Sequence, residues 1–131
     1  MKSAVRYYSR SGNTRLVADA IAEELGVPAV SVDAADAGLE EDVDVLFAGG
    51  ALYAYGLDKH LSSWFRSLDA SKVKKAVLFS TTWLSKHSFD LMRKELEAKG
   101  IPVAAETFYV KNKADAAQLA EAKSFAAKMM Q

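Results

Sequence analysis

The chain has 131 residues, half of them hydrophobic, and its seventeen Lys and Arg balance seventeen Asp and Glu. That length and composition predict one domain over residues 1–131 with a real core, and they give no electrostatic reason to bind nucleic acid or an anionic membrane. Cysteine is absent, which removes disulfides, thiolate metal sites and a thiol nucleophile.

Short β-type runs alternate with helical patterns along the chain. The first strand is expected in "SAVRYY" at 3–8, followed by a helix in "NTRLVADAIAEELG" at 13–26. Arg6 interrupts the apolar run near the N-terminus, so no signal peptide is expected. A second strand, "AVSV" at 29–32, leads into a stretch from Ala34 to Glu41 that fits either a short helix or a loop. The third strand is "VDVLFAGG" at 43–50, and the next helix is "LDKHLSSWFRSLD" at 57–69, where Leu57, Leu61, Trp64, Phe65 and Leu68 keep helical spacing. "KAVLFS" at 75–80 is the fourth strand, "SKHSFDLMRKELEAKG" at 85–100 the third helix, and "PVAAETFYV" at 102–110 the fifth strand. The chain closes on an alanine-rich helix at 113–131. Gly26 and Gly100 each stand just past a helix, with Pro28 and Pro102 two residues on, a stop signal before a new strand. No run approaches the roughly 18 apolar residues of a membrane span, and the expectation is a cytoplasmic protein.

Continuous apolar strands such as "VLFAGG" and "AVLFS" suit a sheet covered on both faces. Strands alternating with helices imply a parallel sheet, and five of them favour a three-layer α/β fold in the doubly wound order 2-1-3-4-5. A ligand then belongs outside the carboxyl ends of the strands, at the switch point between the first and third. Unusual residues do follow strands one, three and four.

After the first strand come Ser9, Arg10, Ser11, Gly12, Asn13 and Thr14. Helix-start N–H groups are unpaired and the dipole there favours an anion, so a glycine among hydroxyl and amide donors suits a phosphate. A single helix cap would explain one such residue, not the group. The loop is neither GxxxxGK[ST] nor GxGxxG, which excludes the common nucleotide loops. After the third strand, Gly49, Gly50 and Gly56 read as a flexible wall carrying Tyr53 and Tyr55; after the fourth, Ser80, Thr81 and Thr82 offer polar contacts and Trp83 a flat surface. Aromatic rings beside a phosphate pocket suit a planar ring system stacked on both faces.

With these three loops in place the sequence resembles the flavodoxin family over essentially the whole chain. "SRSGNT" is similar to the family's FMN-phosphate loop, T/S-x-T/S-G-x-T, which implies that Ser9 to Thr14 surround the FMN phosphate. The resemblance further implies that Ala51, Leu52, Tyr53, Ala54, Tyr55 and Gly56 form the second loop, over one flavin face, and that Ser80, Thr81, Thr82 and Trp83 form the third, against the other side. The aromatic on the outer face is Tyr53 or Tyr55, with Tyr53 nearer the end of the third strand. No long insertion interrupts the last strand, as in short-chain flavodoxins. The implied function is an FMN-binding electron carrier working between redox partner proteins, with no catalytic side chain and no metal. The alternatives are a small FMN-dependent NAD(P)H:quinone or acceptor reductase, and a flavin-free interaction domain of the same fold. Flavodoxins are typically strongly acidic, whereas this chain is neutral. His60 and His87 are expected as solvated residues at helix starts, since two histidines without clustered carboxylates make a poor metal site.

Overall fold

In the computed structural model, residues 1–53, 56–81 and 87–131 are described. The strands are β1 (Ser3–Tyr7), β2 (Ala29–Ser31), β3 (Val43–Gly50), β4 (Leu52–Tyr53), β5 (Gly56–Leu57), β6 (Val73–Ser80) and β7 (Val103–Tyr109). The helices are α1 (Asn13–Leu25), α2 (Lys59–Ser67), α3 (His87–Ala98) and α4 (Ala116–Met129). One five-stranded sheet runs β2-β1-β3-β6-β7, with every neighbouring pair parallel. Counted over the strands of this sheet alone, that is the expected order 2-1-3-4-5. β4 and β5 form a separate antiparallel pair, Leu52 opposite Leu57 and Tyr53 opposite Gly56.

Alternation along the strands builds the layers. Val45 and Phe47 of β3 join Val77 and Phe79 of β6 under α1 and α4, where Val17, Ile21, Ala122 and Ala126 are buried. Leu46, Ala48 and Leu78 point the other way, onto Leu61 and Phe65 of α2 and Met92 and Leu96 of α3. β3 and β6 are therefore apolar on both faces, whereas β2 is only three half-buried residues long at one edge. Gly26 ends α1 at φ 69°, and its N–H reaches the Ala22 and Glu23 carbonyls. Gly100 follows α3 at φ 83°. No helix among the described residues is long and apolar enough to cross a membrane.

Two details depart from the sequence reading, and the choice left open between Ala34 and Glu41 is decided. Ala34 to Glu41 forms no helix, only turns and bends. It is pinned from inside: Arg6, buried on β1, donates Nε to the Ala37 carbonyl at 2.7 Å, and Trp64 Nε1 donates to the same oxygen at 3.2 Å. Burial pushes the Arg6 guanidinium pKa down, which bonds to the Val5, Ala37 and Gly38 carbonyls offset. Leu57 falls in β5, outside α2, because the Asp58 side chain caps the helix by accepting the His60 N–H. Gly49 and Gly50 are not a flexible wall. Both lie buried in β3 between β1 and β6, Gly49 against the Phe79 ring and Gly50 against Leu61.

Candidate functional site

β1, β3 and β6 end side by side, and the three loops expected to hold a ligand leave from those ends. The first loop turns at Gly12, whose φ of 91° is left-handed and open to glycine at little cost. A Cβ built there would meet nothing within 4 Å, so the space around this residue is clear. Gly12 occupies the N-cap of α1, where no side chain caps the helix and no acidic residue stands in the first turn. The Gly12 N–H reaches the Ser9 hydroxyl at 3.0 Å, and the Asn13 N–H lies 3.5 Å from the Ser11 hydroxyl. Two backbone donors and their local hydroxyls thus gather at the positive end of a thirteen-residue helix.

Two long-range contacts tie this loop to its neighbours. The Thr14 hydroxyl lies 2.6 Å from that of Thr81, both buried, which joins the first loop to the end of β6. Arg10 reaches Asp58, its Nε at 3.1 Å and Nη2 at 2.7 Å from one carboxylate oxygen. The other oxygen accepts the His60 N–H at 2.8 Å and lies 2.8 Å from His60 Nδ1. The His60 ring stacks on Tyr8, with centroids 4.8 Å apart and planes 12° from parallel. Burial, the largest influence on Asp58, opposes its ionisation. The bonds from His60 and Arg10 together outweigh it and hold the carboxyl below its ordinary range.

No protein-family model matches the chain. An uncharacterized protein of Methanocaldococcus jannaschii is 32% identical over 112 residues, spanning 81% of this chain and 73% of that protein. A flavodoxin from the domain Archaea has the same fold, with a TM-score of 0.84 and 21% identity over 98% of this chain and 96% of that one. The two-electron reduced flavodoxin of Megasphaera elsdenii gives a TM-score of 0.74 and 26% identity, covering 96% of this chain and 98% of its own. The chain has the fold of flavodoxins.

Against the three flavodoxin loops, the structure places the expected residues unevenly. Ser9 to Thr14 form the turn into α1, with Arg10 and Ser11 exposed and Thr14 buried. Ala51 links β3 to β4, and Leu52, Tyr53 and Gly56 are in the antiparallel pair. Ala54, Tyr55, Thr82 and Trp83 lie outside the described residues. Ser80 closes β6 fully buried, its carbonyl accepting the Val110 N–H, and Thr81 follows it. A hollow of about 330 Å³ lined by Arg6, Val30, Asp36 and Leu39 also touches Ser3 and Val43, at the opposite end of the sheet from these loops.

Tyr8, Asp58 and His60 were not among the expected site residues, yet they join the first loop to α2. His60 in particular is no merely solvated residue: it is bonded to Asp58 and stacked on Tyr8, with its side chain 44% exposed. The sequence holds a signal for Asp58, an aspartate immediately before a helical pattern. It holds none for the partner forty-eight positions away.

Proposed function

We propose that the chain, as one domain over residues 1–131, binds FMN and carries electrons between redox partner proteins. The observation that carries this reading is the uncapped start of α1, with Gly12 left-handed in open space among neutral donors. Such a loop fits a phosphate: backbone N–H groups and the Ser9 and Ser11 hydroxyls gather there without an acidic residue in the first helical turn. Its position beside the ends of β1 and β3 is where a doubly wound sheet takes its ligand. Ser9 to Thr14 would hold the phosphate end, and Ala51 to Gly56 with Ser80 to Trp83 would flank the ring. Likeness to flavodoxins supports electron transfer as the task. The flavin, when bound, supplies the redox chemistry, and the chain binds, orients and shields it.

Release and identification of any chromophore from the purified protein is the first test. Fluorescence titration should then give tighter binding for FMN than for riboflavin, and equal affinities would sink the phosphate assignment. Mixed with NADH or NADPH and a quinone, the protein alone should oxidise the nucleotide negligibly. A flavodoxin reductase should reduce the bound flavin. Rapid turnover by the protein alone would replace the carrier with a reductase.

A further inference from the structure

Asp58 is more than a helix cap. A cap needs one side-chain oxygen to accept an N–H, and a neutral Asn or Ser serves as well as Asp. Here the His60 N–H uses one oxygen, and the second is given wholly to Arg10. The carboxylate is 3% exposed and its Arg10 partner 57% exposed, so the buried charge has its counter-ion at the solvent edge of the first loop. Arg10 is the one charged residue between Ser9 and Thr14. Left unbalanced, its guanidinium would draw any anion to the loop. An unbalanced Asp58 would repel one.

Resting on the FMN reading, we propose that Asp58 determines phosphate specificity by neutralising Arg10, leaving recognition to backbone N–H groups and hydroxyls. Removing each member of the pair then has opposite consequences. Losing the Asp58 charge strengthens the hold on a phosphate, and losing the Arg10 charge weakens it. A purely structural clasp would weaken the site in both cases.

The test is the ratio of riboflavin to FMN dissociation constants at low salt, for wild type, Asp58→Asn, Arg10→Gln and the double variant. Asn retains a cap oxygen for α2, Arg10→Gln changes an exposed side chain, and the riboflavin affinity itself reports any general damage. Asp58→Asn should raise the preference for FMN about three- to tenfold and Arg10→Gln should lower it comparably, the scale of one unit charge acting across a partly solvated surface. The double variant should return to within about twofold of wild type, and both single effects should shrink at about 1 M salt, where the screening length is about 3 Å. Shifts of the same sign in the two single variants, or a preference unchanged in both, overturn the proposal while leaving FMN binding intact. A wild type with no preference for FMN overturns the phosphate reading and this inference together.

Discussion

Gly12 in the first loop and Asp58 at the start of α2 show how much rests on single residues. The Asp58 carboxyl is held below its ordinary range, so its ionised form is bound more tightly in the folded chain than in the unfolded one. Such a group stabilises the fold fully above its unfolded pKa, about 3.9, and the contribution is lost as pH falls through the lower folded value. Urea unfolding should find wild type more stable than Asp58→Asn at about pH 6, with the gap closing below about pH 3. A gap that persists in acid would mean that the charge contributes nothing. At Gly12 the constraint is the backbone, since a Cβ would meet no atom within 4 Å while φ is 91°. Gly12→Val should therefore cost about 1–2 kcal/mol of stability from the left-handed conformation alone. It should weaken FMN more than riboflavin, because the turn that presents the loop N–H groups is lost. Equal losses for the two ligands would separate this turn from the phosphate.

At the scale of elements, the end of β3 is fixed by what crosses it. Gly49 pairs with Tyr7 on one side and Phe79 on the other, and a Cβ at Gly49 would stand 2.1 Å from the Phe79 ring. At Gly50 the obstacle is Leu61 Cδ2 at 2.5 Å, the far end of a side chain that can turn. Gly49→Ala should cost about 1–3 kcal/mol by overpacking, and Gly50→Ala measurably less. Denaturant midpoints rank the two, and the reverse order would show that the fully buried Phe79 ring yields more readily than Leu61. The sequence puts both glycines at the end of the third strand but also reads them as a flexible wall, because glycine ordinarily weakens a strand. What makes them rigid is close packing from an adjacent strand and an overlying helix, which no local window contains.

The whole molecule carries no net charge, since its acidic and basic residues balance. Long-range steering of partners scales with net charge and with its clustering on one face. In the proposed role of electron carrier, the chain should associate with a reductase at a rate that changes less than about threefold between low and physiological salt. Stopped-flow reduction across a salt series measures this directly. A steep fall would reveal a local patch that the balanced total conceals.

The order of the elements, the parallel sheet and the end at which its loops gather follow from the sequence alone, because each depends on periodicity and punctuation inside one short window. "VLFAGG" and "AVLF" are continuous apolar runs, which demands cover on both faces, and Gly26 and Gly100 mark helix ends by a conformation that few other residues adopt. The composition of "SRSGNT" likewise marks a donor-rich turn before a helix. Only the tertiary structure decided who completes that turn. Arg10 meets Asp58 across forty-eight positions, Thr14 meets Thr81 across sixty-seven, and Arg6 and Trp64 fasten the loop at Ala37 from two different layers. Those pairings are set by how the strands register and how α2 seats on the sheet, and burial then forces each charged or polar group to find a partner within reach.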